Sequence, residues 1–166
     1  MFCCFMGSHE QVAVDTEIKK VSDVSAERTI KGKKRAMGVH FSALAELEKN
    51  LPSSMDKDTV TTGEVIHWMR KNPKLVAAQT SWLKMLESEG AHNEEGVPMY
   101  GIATVMVSHT WRYKFKEFVS AVVEFATNQE AETGQPSYVW IDMFVLNQFS
   151  SKSTNPNWLK QTFTEV

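Results

Sequence analysis

Apolar positions change character twice along this chain. Residues 1–36 are polar, weakly periodic and free of aromatics after Phe5, which predicts a disordered N-terminal tail. Residues 37–90 follow a helical period. Phe41, Leu44, Ala45 and Leu47 share one helical stripe, which Pro52 closes. Thr61-Thr62-Gly63-Glu64 has the spacing of a capping box, with Thr61 as cap and Glu64 reaching back. Val65, Ile66 and Met69 continue as its apolar face. Asn72-Pro73 restarts the chain as cap and first helical residue. Leu75, Val76, Trp82, Leu83 and Leu86 then run on at helical spacing to an end near Gly90, and residues 90–101 read as a loop.

At Ile102 the pattern switches. Residues 102–107 form a short apolar run with β-branched residues, as expected of a strand buried on both faces. Phe115, Phe118, Val119, Val122, Val123 and Ala126 recur at helical spacing, and residues 138–141 make a second strand. A further helix is predicted over 156–163. Strand, helix and strand in about 40 residues form a βαβ unit with parallel strands. The predicted organisation is a tail (1–36), a helical segment (37–100) and an α/β part (101–166).

The length of 166 residues gives one domain, or one domain with a tail. With 18 basic and 20 acidic side chains, a nucleic-acid binder working by bulk charge is excluded. The excess of positive charge lies at the start, where residues 1–40 carry seven basic and five acidic groups. Cys3 and Cys4 are the only cysteines, so no disulfide framework and no tetrahedral zinc site can form. That pattern predicts an intracellular, cytoplasmic setting. Adjacent cysteines among apolar residues also fit a dual lipidation site, with Arg28, Lys31, Lys33, Lys34 and Arg35 adding attraction to a membrane surface. A frayed terminus and a solvated charge run fit the same residues.

Ligands of open parallel sheets sit beyond the carboxyl ends of the strands. Two loops converge there, Ser108-His109-Thr110-Trp111-Arg112 after the first strand and Asp142 to Asn147-Gln148 after the second. Ser108 and His109 are extended neighbours pointing to opposite faces, a poor nucleophile and base pair. Arg112 suits a phosphate or a carboxylate, or is a solvated helix-start arginine. Trp111 suits a flat ring, or packs its helix on the sheet. Asp142 suits ribose hydroxyls, or caps the following turn. No metal site is expected from the sequence.

Val105-Met106-Val107-Ser108-His109-Thr110-Trp111, followed by Tyr113-Lys114-Phe115, resembles the first box of Toll/interleukin-receptor (TIR) domains. Tyr138-Val139-Trp140-Ile141-Asp142 with Leu146-Asn147-Gln148 is similar to the second strand and loop of that family. Its wording is closer still to the TIR-related heterokaryon-incompatibility domains. The chain is also similar to microbial eukaryotic proteins of unknown function, in which a Thr-Thr-Gly-Glu-Val helix (here residues 61–65) precedes the Ser-His-Thr-Trp strand. The resemblance implies an α/β, flavodoxin-like parallel sheet preceded by helices. It implies a signalling or defence role, by NAD cleavage or by assembly with like domains in a non-enzymatic scaffold. NAD would be substrate, and no bound cofactor is expected. The nucleotide pocket would be lined by Ser108, His109, Thr110, Trp111, Arg112, Asp142, Asn147 and Gln148. The catalytic glutamate of the family, often within Trp-x-x-x-Glu after a third strand, has no match here, since Glu165 comes too early. The sheet is therefore expected to be incomplete and residues 1–166 inactive on NAD.

Overall fold

The computed structural model describes residues 27–30 and 33–149 of the chain. Their architecture is mixed α/β. In chain order the elements are β1 (Glu27–Ile30), β2 (Lys33–His40), α1 (Phe41–Lys49), α2 (Thr62–Met69), α3 (Pro73–Ala78) and α4 (Trp82–Glu89). They continue with β3 (Tyr100–Ile102), β4 (Val105–Met106), α5 (Phe115–Thr133), β5 (Tyr138–Trp140) and α6 (Asp142–Val145).

Four strands form a mixed sheet in the order β3-β2-β5-β4. Val39 of β2 is paired with Tyr100 on one side and Val139 on the other. β4 and β5 are parallel and joined by α5, as the strand–helix–strand pattern predicts. β2 runs antiparallel to both β3 and β5, so the sheet is not wholly parallel. β1 adds a hairpin partner to the first half of β2, with Glu27 opposite Ala36.

Two boundaries differ from the pattern reading. Within the span expected to be a tail, 27–30 and 33–36 are strand. The helical segment starts at Phe41, since 37–40 complete β2. Ala36, Met37, Gly38, Val39 and His40 are all buried, and so short a run has no period that separates a buried strand from a helix. The helix expected from Pro73 to Gly90 is two helices. It breaks at Gln79, whose left-handed backbone (φ 48°) caps α3, and restarts at Ser81, which caps α4. The loop expected at 90–101 ends in β3, and α5 runs on to Thr133 with Gly134 as its left-handed cap.

The run 102–107 is not buried on both faces. Ala103 and Thr104 divide it into β3 and β4, and Ile102 (39%) and Met106 (48%) are exposed. The reason is strand order: β3 and β4 stand at the two sheet edges, each with one strand neighbour, β2 and β5 respectively, among the described residues. The centre belongs to β5, where Val139 is wholly buried. Around it pack Leu44 of α1, Phe115 and Val119 of α5, Leu83 of α4 and Phe144 of α6, each 1% exposed or less. Trp82 closes the α4–α6 contact against Phe144, ring centroids 4.9 Å apart. Each fully buried side chain of this kind contributes about 1.5–3 kcal/mol relative to exposure.

Two glycines let the sheet close. Gly38 and Gly101 are paired across β2 and β3. A Cβ on Gly101 would fall 2.5 Å from the Tyr138 ring, which occupies that space, and one on Gly38 would fall 2.8 Å from the Val139 carbonyl oxygen. The predicted helix over 156–163, Cys3 and Cys4 lie outside the described residues.

Candidate functional site

The 108–113 loop leaves β4 and is held by the start of α2. Thr62 N–H donates to the Tyr113 carbonyl (2.9 Å) and Gly63 N–H to the Trp111 carbonyl (3.0 Å). Thr62 Oγ1 donates to the Thr110 carbonyl (3.2 Å), and Phe115 N–H donates to the Val60 carbonyl (2.8 Å). Orphan amides at a helix start require acceptors. Here the capping box satisfies one, since Glu64 N–H donates to Thr61 Oγ1 while Glu64 Oε2 accepts from Thr61 N–H, and the loop carbonyls satisfy others. Glu64's carboxyl sits below its usual range because Thr61 donates to it from backbone and side chain. The Thr-Thr-Gly-Glu and Ser-His-Thr-Trp stretches, noted separately in the sequence, are thus one contact. Trp111 stays half exposed (50%), and Arg112 is exposed with no side-chain partner among the described residues.

The loop after β5 is tied elsewhere. Asn147 Nδ2 donates to the Gln79 carbonyl (2.7 Å), and Asn147 Oδ1 accepts from Phe149 N–H (3.0 Å). Gln148 Nε2 donates to the Asp142 (3.3 Å) and Leu146 (3.4 Å) carbonyls, and the Gln148 carbonyl accepts from Arg70 (3.0 Å). The Gln148 side chain therefore shapes the loop, while the Asn147 side chain docks it on the end of α3 and the Gln148 carbonyl docks it on Arg70 at the end of α2. The eight expected pocket residues do not form one cluster.

His109 and Asp142 do meet. They follow parallel strands, and His109 Nδ1 lies 3.8 Å from Asp142 Oδ1. That is too long for a hydrogen bond but close enough for charge to act. Asp142 is 44% exposed and its Oδ1 accepts from Met143 N–H (2.7 Å), so it also serves the first turn of α6. The His109 side chain is 2% exposed, and its Nε2 is enclosed without a hydrogen-bond partner. Burial pushes its pKa below the ordinary histidine value, against a smaller upward pull from Asp142. The imidazole is therefore neutral near pH 7.

A groove of about 610 Å³ opens beside it, between β4 and α5. Val105, Val107, Phe118, Val122 and Phe125 give it apolar walls. Ser108, His109, Glu117 and Tyr113 supply its polar groups, and among the described residues no lysine or arginine lines it. Such a volume lies within the range of small-molecule sites. Of the expected pocket residues only Ser108 and His109 reach this groove. The α5 residues Phe118, Ala121, Val122 and Phe125 were not expected there. Their spacing (i, i+3, i+4, i+7) is itself a second apolar stripe, offset from the core stripe through Phe115, Val119 and Ala126.

A second polar cluster ties α1, α5 and β5. His40 is 2% exposed; its Nε2 contacts Glu130 Oε1 (2.9 Å) and its Nδ1 contacts Ser42 Oγ (2.8 Å). Nδ1 also accepts from Ser42 N–H (3.3 Å), so the Nε2 hydrogen is the one given to Glu130. The same Glu130 oxygen accepts from Ser137 N–H (2.6 Å). This arrangement caps α1 and anchors the start of β5.

Among the described residues no group of three or more His, Cys, Asp or Glu is placed to hold a metal ion. No helix there is long and apolar enough to cross a membrane. No protein-family model, curated protein or solved structure matches the chain.

Proposed function

We propose that this chain is a TIR-like signalling or defence domain, its β4–α5–β5 unit the start of a flavodoxin-like sheet, and that the groove beside His109 binds a nucleotide-type ligand without turning it over. One observation carries this reading. The enclosed His109, with an unpartnered nitrogen, meets Asp142 beyond the ends of two parallel strands. Ligands of such sheets are held at this end. Turnover by these residues is not proposed, because none of the five tryptophans is followed four positions later by glutamate. Calorimetric titration of residues 1–166 with NAD, with nicotinamide followed by chromatography, tests it. Saturable binding without nicotinamide release is the expected result. Absence of binding at millimolar NAD, or release of nicotinamide, would overturn it.

A second reading, assembly with like domains, is favoured by the exposed Met106 (48%), Tyr113 (54%) and Phe125 (54%) beside β4, which has one strand neighbour among the described residues. Its occupant is a second copy of the chain, and its test is concentration-dependent sedimentation, lost on Phe125→Glu. Intracellular location with membrane tethering through Cys3 and Cys4 belongs to the same reading. Membrane association unchanged in a Cys3→Ser/Cys4→Ser variant would remove it.

A further inference from the structure

We propose that the β4–α5 groove takes the uncharged, planar, amino-bearing base of its ligand, with the amino N–H donating to Nε2 of His109. The inference deepens the ligand-binding reading above and rests on it. It starts from an imbalance: His109 is enclosed, and Nε2 lacks a partner while lining residues around it are mostly apolar. Leaving such an atom unpaired is unfavourable, and a ligand supplying the missing hydrogen bond relieves it.

The direction of that bond follows from Asp142. A carboxylate 3.8 Å from Nδ1 favours the tautomer with its proton on Nδ1. Nε2 is then an acceptor, and the ligand must bring the donor. An N–H on a flat ring suits the site, because Phe118 lies against His109 (ring centroids 4.8 Å apart) and the rings of Tyr113 and Phe125 stand exposed at the rim.

Charge selects the end of the ligand. Among the described residues the groove offers Glu117 and no lysine or arginine, and Arg112 does not line it. A phosphate there would meet a carboxylate in apolar surroundings, so the phosphates point out toward solvent and the base points in.

Adenosine and purine riboside test this, since they differ only in the 6-amino group. With the chain labelled with ¹⁵N at histidine, adenosine should bind about three- to tenfold more tightly, the worth of one net hydrogen bond. It should also move the His109 Nε2 resonance, and His109→Phe should abolish the discrimination. Ala121→Trp, which fills the groove from exposed positions of α5 without replacing His109, should abolish binding even if His109→Phe does not fold. Equal affinity for the two nucleosides, or binding that leaves the Nε2 resonance unmoved, would overturn the inference. NAD binding with adenosine silent at His109 would sink the base placement alone. Silence of both would sink the ligand-binding reading with it.

Discussion

Gly63 N–H donates to the Trp111 carbonyl at 3.0 Å, and a Cβ on Gly63 would stand 3.1 Å from that same oxygen. The contact joins two stretches 48 positions apart in the way only a small residue permits. In an exposed helix start, alanine would gain about 0.5–1 kcal/mol over glycine. Here the loop cannot retreat, because Thr62 holds it through Tyr113 and Thr110. Gly63→Ala should therefore destabilise, by about 1 kcal/mol net, within the usual range for overpacking. Urea denaturation checks it. The nearby Thr61→Ala should cost a similar amount, about 1 kcal/mol, through loss of the cap.

Gly101 makes the same argument for the sheet. Its missing side chain is the space of the Tyr138 ring. Gly101→Ala should cost about 1–3 kcal/mol by forcing that ring aside. The cost should shrink in a Tyr138→Ser background, and a double-mutant cycle in urea measures the coupling.

Glu130 serves two buried donors, His40 Nε2–H and Ser137 N–H. Glu130→Ala leaves both without a partner and should cost about 2–6 kcal/mol, at roughly 1–3 for each buried group. Glu130→Gln keeps an acceptor oxygen and should cost less than half as much. Equal losses in the two variants, by thermal or urea unfolding, would show that the negative charge matters and not the acceptor.

His109 gives a pH dependence of definite sign. Its pKa is lower folded than unfolded, because burial disfavours the charged ring. As pH falls below the unfolded value of about 6.5 the unfolded chain binds the proton first, and stability drops until the folded value is passed. Above that window the group contributes no slope. His109→Phe should flatten the stability profile as pH falls below about 6.5, relative to the parent.

Local chemistry was the legible part of this fold. The Thr61–Glu64 box, the Asn72-Pro73 start, the Gly90 stop and the β4–α5–β5 unit each rest on residues within a few positions of one another. The break at Gln79 was hidden because a left-handed cap ordinarily carries glycine, and here Asn147 from a distant loop takes the Gln79 carbonyl. β2 was hidden because its partners, β3 and β5, lie about 60 and 100 residues away. The candidate site was half legible for a similar reason. His109 and Asp142 follow from strand ends, while the groove depends on β4 being an edge strand, which only strand order decides. Asn147, Gln148 and the Thr110–Trp111 carbonyls are spent on docking loops, a use that no local pattern announces.

The most direct measurement is NAD binding to residues 1–166 and to the Ala121→Trp variant, by calorimetry at pH 7.5, with nicotinamide assayed in the same samples. Saturable binding by the parent, its loss in the filled-groove variant and no nicotinamide from either are the predicted results. Undiminished binding by Ala121→Trp would place the ligand elsewhere, and nicotinamide release by the parent would contradict the proposal that these residues bind without turnover.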